Sequence, residues 1–559
     1  MSIAARRRVV VIGLDGASFR LLDPLISAGQ VPTITTIIDR GIQGRLRSTL
    51  PPNSAAGWTA FMTGKNPGKT GVFGFYGLAH GEYRVRLNNG GNVRARSFWE
   101  VAGAAGQRVA VINVPFTYPP RAVNGVLVSG MDAPGLTNFT YPPEFARELL
   151  SVCPNYQVEM PPIRRTPEAR KQWFMDHLAD FLETGHSAAT YIHNKVKPEL
   201  MVTVVTMTDR VHHWVMDDVD PNHPRHAPMS ADRYGRTLGD LYAQIDRLLS
   251  DHLATLDDRT QLFVVSDHGA NSFHRRFLIN HWLCQQGWLA LTRDAKVEST
   301  QHAFRYLRRS RLYGPLRRVW SAFGPLGRLP VSRKSMSFRH RFQNIDWERT
   351  RAFYLNGYGI RINLKGREAE GTVGRREYQE FREQIVRSLL GVRDPETGAP
   401  VYAAVHRREE VYAGPYVEEA ADIILEEATL NNDARMNFST SGALRPDRLD
   451  ILFAERRLPG DHDMEGILLG IGSGLRQGAE VRGARLIDMA PTILYSLGVP
   501  VPRDMDGRIL MELFREDFRA AHPPEYQEAE AAAVGDALVY TEDEQAAIEE
   551  RLSELGYGA

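Results

Sequence analysis

Cysteine is nearly absent: the 559 residues contain two, Cys153 and Cys284. They sit in unrelated contexts and form no C-x-x-C pair. This speaks against a disulfide framework and a thiolate metal centre, so any metal has to be held by histidine and carboxylate. Long hydrophobic runs are also missing. After the basic MSIAARRR only four apolar residues precede Gly13, too few for the core of a secretory signal. No later run approaches the ~18–20 apolar residues that span a bilayer. These absences predict a soluble, unexported, cytoplasmic protein. Charge of one sign is not in surplus either: 68 Lys+Arg stand against 67 Asp+Glu. Global charge therefore points to neither nucleic acid nor a membrane, and no nucleic-acid partner is expected.

What is present is an ordinary globular composition, 43% hydrophobic and 24% charged, in a chain long enough for a large domain with insertions. Short apolar runs at Val9–Ile12, Val109–Ile112, Leu200–Val205 and Leu262–Val265 read as buried strands. Helical patterns such as Pro167–Leu182 and Tyr234–Ala254 lie between them. Strands alternating with helices predict an α/β fold, a mostly parallel sheet sandwiched by helices, with its chemistry at the carboxyl ends of the strands. The expected division is a core over 1–290 and 350–520, a basic cap-like insertion over 291–349 and an acidic tail over 521–559. From Lys296 to Arg351 there are fourteen Lys/Arg against three Asp/Glu. In the tail, Thr541 and Glu544 form a capping-box signature ahead of EQAAIEERLSEL.

Five places carry candidate chemistry. Asp15 follows the VVVIGL strand, where a metal ligand or a plain turn aspartate both fit. Ser54, in TLPPNSAAGWTAFMTG, opens a helix whose N-terminal N–H groups favour a phosphate; an ordinary N-cap is the commoner explanation of such a serine. Asp209 and His213, in TDRVHHW, lie four apart on one helical face and can chelate one metal or form a solvated pair. His212 points elsewhere and is the weaker candidate. Asp267 and His268, in FVVSDHGA, stand together at the end of a buried strand, which packing alone does not explain. His462, in GDHDMEG, sits in a polar segment where Asp461 and Asp463 compete with it. Three aspartates, three histidines and a serine suit two Zn²⁺ or Mn²⁺ ions, with zinc the expectation and manganese open. Paired metals suit in-line displacement at phosphorus.

These phrases, in this order, resemble the type I phosphodiesterase/nucleotide pyrophosphatase group of the alkaline phosphatase superfamily. VAVINVPFTYPP, INHWL, YGIRINLKGRE and DMAPTILYSLGVPVPRDMDG support the likeness, which extends over most of the chain. The resemblance implies an alkaline-phosphatase-like sheet between helices. It implies that Asp15, Ser54, Asp267 and His268 surround one metal and that Asp209, His213 and His462 hold the other. Ser54 would be the nucleophile, replacing the threonine of many relatives, and the substrate a small-molecule phosphate ester. Two departures bear on substrate: the asparagine usual in nucleotide pyrophosphatases falls nearest Phe75, and the histidine of their P-x-x-H-G phrase is Thr70. Both weigh against nucleotide diesters. A phosphomonoesterase, or a phosphotransferase acting on a lipid- or sugar-linked phosphate, is the alternative. The basic insertion 296–351 feeds it, as a cap that attracts an anionic substrate or as a membrane-surface contact. A non-catalytic metal-binding protein is the remaining rival.

Overall fold

The computed structural model describes residues 6–78, 83, 85–161, 167–292, 344–355, 359–429, 434–530 and 540–554. Of the basic insertion, 293–343 lies outside the described residues, so the cap and membrane-contact expectations rest on sequence alone.

The apolar runs become the middle of a nine-stranded sheet. Its order is Ala479–Arg485, Ile42–Arg47, Glu465–Gly472, Thr260–Val265, Arg8–Leu14, Leu200–Val205, Val109–Val114, Gly125–Ser129, Thr140–Tyr141. Five of the eight neighbouring pairs are parallel. The antiparallel pairs involve Glu465–Gly472, on both its sides, and the Thr140–Tyr141 edge. The central strands are buried along their whole length, Thr260–Val265 at every position and Arg8–Leu14 at all but the first. Strands covered on both faces have no water-facing side to spare for polar residues, so their sequences read as unbroken Val/Ile/Leu runs rather than alternations.

Helices pack against the sheet in two groups. One contains Ser54–Thr63, Phe98–Ala104 and Met489–Leu497; the other contains Pro32–Arg40, Pro167–Val196, Met207–Val219 and Pro228–Ala254. The Ser54–Thr63 helix is apolar all round, SAAGWTAFMT, and every one of its residues is buried, as a helix without a polar face must be. Asn53 caps it by accepting the Ala56 N–H at 3.0 Å, and Gly64 ends it in the left-handed region at φ 67°, which glycine enters without a Cβ penalty.

A second, four-stranded antiparallel sheet, Ala352–Leu355, Gly359–Ile362, Ile423–Glu427 and Tyr402–Arg407, lies within the stretch that the sequence placed in one core. The Tyr378–Leu390 helix packs against its Tyr402–Arg407 strand. Near the C-terminus a helix spans Glu542–Glu554, its capping box made by Thr541 and Glu544. Among the described residues no single helix is long and apolar enough to cross a membrane.

Candidate metal centre and nucleophile

Three adjacent parallel strands deliver carboxylates to one edge of the sheet. Arg8–Leu14 runs into Asp15, Leu200–Val205 is followed by the helix carrying Asp209, and Thr260–Val265 runs into Asp267 and His268. Glu465–Gly472 is antiparallel to its neighbours, so its beginning, not its end, reaches that edge. It is preceded by the Gly460–Asp463 strand, which carries His462 and pairs with Gly269–Ser272, placing His462 opposite Ala270. All seven residues singled out in the sequence thus meet in one place.

They form two clusters. Asp15, Asp267 and His268 can each offer one ligand atom, all within 4.8 Å of one another, and so can Asp209, His213 and His462. Within the first, His268 Nε2 lies 3.5 Å from Asp15 Oδ1 and 3.4 Å from Asp267 Oδ2. Within the second, Asp209 Oδ1 lies 3.3 Å from His213 Nε2 and 3.6 Å from His462 Nε2. The His268 and His462 rings, 4.0 Å apart between centroids, join the clusters. Ser54 Oγ stands 3.4 Å from Asp15 Oδ1 and 3.3 Å from His268 Nε2. As the first residue of its helix it sits at the positive end of the helix dipole.

The donors fit divalent cations on several grounds. His268 Nδ1 donates to the Gly269 carbonyl at 2.9 Å and His213 Nδ1 to the Gly460 carbonyl at 2.9 Å. In the neutral ring each bond fixes the tautomer that turns the Nε2 lone pair toward the cluster. Without metal, burial works to lower the His213 pKa, but Asp209 outweighs it and raises that pKa. Asp267 Oδ2 is buried and takes no hydrogen bond from the described residues. Burial, reinforced by the Asp209 charge, pushes Asp267 up to about 8. Burial and then the Asp267 and Asp209 charges push Asp15 well above the usual carboxylate range. Carboxylates that repel one another out of water are stabilised together by protonation or by cations between them, and divalent ions suit this cluster. Burial also opposes ionisation of Asp209, but His213 and Arg210 outweigh it and hold this carboxyl well below its ordinary value. His462 is held down at about 3 by burial and by His268, which keeps it in the neutral form that ligates.

The approach is tight enough to need glycine twice. Gly16 sits at φ 68°, and a Cβ there would lie 3.1 Å from Asp209 Oδ1; one at Gly57 would lie 3.1 Å from the Asp267 Cβ.

The weaker candidates fall elsewhere. His212 Nε2 pairs with the Tyr242 hydroxyl at 3.0 Å between two helices. Asp461 is ion-paired with Arg456, and Asp463 accepts from Asn271 at 3.2 Å. Phe75 is buried against Phe116, and Thr70 Oγ1 turns back to the Pro67 carbonyl.

Three supporting residues escaped the sequence reading. Trp58 Nε1 donates to Asp15 Oδ2 at 3.1 Å. Arg210 Nη1 donates to Asp209 Oδ2 at 2.8 Å, and its Nη2 to Glu159 Oε2 at 2.9 Å. Arg210 directly follows Asp209 in the first turn of its helix, a signal that was available. Glu159 carries none, because its role depends on a loop far away in sequence. A cavity of about 170 Å³ opens beside Asn53 and His462, walled by Tyr76, Tyr354, Glu427 and Thr440. It lies between the sheet edge that carries the two clusters and the second sheet.

Residues 9–432 match the model of the family described as type I phosphodiesterase / nucleotide pyrophosphatase. No match to a curated protein is found. Among solved structures, phosphonoacetate hydrolase from Sinorhizobium meliloti 1021 with phosphonoformate is similar at 15% identity, over 88% of this chain and 96% of that one, with TM-score 0.49. The same hydrolase with phosphonoacetate gives 14%, 88%, 96% and 0.48.

Proposed function

We propose, starting from the fact that the chain belongs to the type I phosphodiesterase/nucleotide pyrophosphatase family of phosphoric ester hydrolases, that it hydrolyses a phosphate ester with Ser54 as nucleophile and two divalent ions as cofactors. The observation that carries this reading is a serine at a helix N-terminus within 3.4 Å of a buried Asp/Asp/His cluster, with an Asp/His/His cluster alongside. Asp15, Asp267 and His268 would hold one ion, next to Ser54. Asp209, His213 and His462 would hold the other. Zinc suits the donor set best, and manganese is the alternative. When bound, such ions supply Lewis-acid stabilisation of the charge on the entering and leaving oxygens.

The chain's own groups do the rest. The Ser54–Thr63 helix fixes the hydroxyl rigidly, since Asn53 ties its first turn to Ala56 and donates to the Phe73 carbonyl. Ser54 gives up its hydroxyl proton to solvent as Oγ attacks phosphorus in line. The bond to the leaving oxygen breaks with its electron pair, that oxygen takes a proton from solvent, and the phosphoryl group rests on Ser54. Water then displaces the serine, so that two inversions give net retention at phosphorus. The helix N-terminus faces the negative charge that develops at each step. Burial of the clusters raises the strength of every one of these interactions over its value in water. The 170 Å³ cavity beside His462 is suited to a small leaving group. Phe75 has no donor to give a nucleotide phosphate oxygen, which favours a non-nucleotide ester.

The test is hydrolysis of bis-p-nitrophenyl phosphate and p-nitrophenyl phosphate side by side, on protein stripped of metal and reloaded separately with Zn²⁺ or Mn²⁺. Metal-dependent cleavage of the diester ahead of the monoester is expected. Preference for the monoester replaces the diesterase by a phosphomonoesterase, and metal-independent or absent cleavage of both overturns the reading.

A further inference from the structure

The C-terminal helix lies beyond the family-matched span, which ends at residue 432, yet it reaches the back of the second cluster. Tyr540, Ile548, Arg551 and Leu552 are buried. The Tyr540 hydroxyl donates to the Asp132 carbonyl at 2.7 Å, and its ring stacks on Tyr118. Arg551 Nη1 donates to the Met131 carbonyl at 2.7 Å and to the Ala133 carbonyl at 3.1 Å. The loop so held is the one that meets Arg210: Arg210 Nη2 donates to Met131 Sδ at 3.3 Å as well as to Glu159. Glu159 in turn is fixed by Thr206 Oγ1 at 3.3 Å and by the Met160 N–H at 2.9 Å.

We infer that the C-terminal helix is a working part of the metal centre, with Arg551 a positioning residue that sets Asp209 through the Met131–Ala133 loop and Arg210. The inference rests on the two-metal reading of the site.

The physical case is one of linked buried contacts. Glu159, Arg210 and Asp209 are ion-paired in turn, minus, plus, minus. Arg551 holds the carbonyls of Met131 and Ala133, in the loop whose Met131 sulfur meets Arg210. Arg210 can hold only one orientation, because its fork is committed to Asp209 on one side and to Glu159 and Met131 on the other. One of those anchors depends on the tail: Met131, through its own carbonyl. Removing Arg551 leaves two buried carbonyls, of Met131 and Ala133, without that donor and frees the loop on which Arg210 rests. The anchored Asp209 Oδ2 then loses its fixed partner, and Oδ1, the oxygen that faces His213 and His462, is no longer held in place. Ser54, Asp15, Asp267 and His268 reach the site from other elements, the Ser54–Thr63 helix and the ends of the Arg8–Leu14 and Thr260–Val265 strands.

Arg551→Leu keeps the helix's apolar anchors, and a chain ending at Glu530 removes the helix entirely. Hydrogen exchange is measured on the metal-free full-length protein and on both variants. The inference expects exchange over 207–213 to quicken about tenfold in Arg551→Leu while the Ser54–Thr63 helix keeps its protection. Should the truncated chain fail to fold, Arg551→Leu decides the matter. A second measurement titrates Zn²⁺ against a chromophoric chelator: one of two equivalents weakens about tenfold, as for a partner outside the ligands themselves, and the other holds. Unchanged exchange at 207–213, or equal loosening of 207–213 and the Ser54 helix, overturns the inference. Parent protein that binds fewer than two equivalents counts against the two-metal reading instead, and exchange still decides the role of the helix.

Discussion

Trp58→Phe separates the support of the first cluster from the cluster itself. The indole is wholly buried, packs edge-on to Phe61 at 5.3 Å and gives its only N–H to Asp15 Oδ2. Phenylalanine keeps an aromatic ring but removes that donor from a carboxylate, a loss of about 1.5–3 kcal/mol for a hydrogen bond to a charged group. It also leaves roughly 40 Å³ unfilled, which at ~24 cal/mol per Å³ adds about 1 kcal/mol. The sum, roughly 2.5–4 kcal/mol, applies when Asp15 is ionised, the state a bound cation imposes. Without metal, Asp15 is already pushed toward its neutral form by burial and by Asp267, so part of the hydrogen-bond loss disappears. The variant is therefore expected to lose more stability with zinc bound than without it, and to bind one zinc equivalent about 10–100-fold more weakly. Urea denaturation in zinc and in chelator, with a competition titration, measures both. An equal loss in the two conditions, with unchanged zinc affinity, would refute the reasoning that Trp58 serves Asp15.

Glu427→Gln tests the cavity wall. Burial, then the Asp461 charge, raise Glu427 to about 7 against the opposing pull of Thr440 and Arg456; Tyr402 reaches the same spot through Thr440, and Glu426 beside it is paired with Arg47 and His406. A carboxyl raised in the fold costs nothing below its unfolded value of 4.5 and its full penalty above about 7. The variant should thus gain ~1–2 kcal/mol over the parent at pH 8, after allowance for solvent in the cavity, and nothing at pH 4; a gain independent of pH contradicts the assignment. Gly16→Ala places a methyl against Asp209 in a left-handed backbone, a strain of about 1–2 kcal/mol, and should weaken metal binding as well as thermal stability. Zinc at 100 times its dissociation constant should stabilise metal-free protein by about 2.7 kcal/mol per site. His213→Ala should abolish that gain at one site and keep it at the other, as read by calorimetry.

Much of the site was legible because its residues lie where strand runs end. Val9–Ile12 leads to Asp15 and Leu262–Val265 to Asp267 and His268, and a parallel sheet brings strand ends to one edge whatever the distance in sequence. The i, i+4 spacing of Asp209 and His213 was likewise readable. His462 was harder to rank against Asp461 and Asp463, since nothing local says which face of a short polar strand turns inward. The pairing of Ala270 with His462 decides it. The second sheet stayed hidden because its strands are short and pair with one another across intervening helix and loop. The tail's role was invisible for a similar reason: Arg551 matters through Met131, more than four hundred residues earlier.

The most direct test of the central claim is acid quenching of the zinc-loaded enzyme during turnover of bis-p-nitrophenyl phosphate, followed by peptide mass spectrometry. The account predicts a phosphoryl adduct on Ser54 in the parent. Ser54→Ala should show no adduct and no turnover while retaining both zinc equivalents. Continued turnover by Ser54→Ala, or an adduct on another residue, would contradict it.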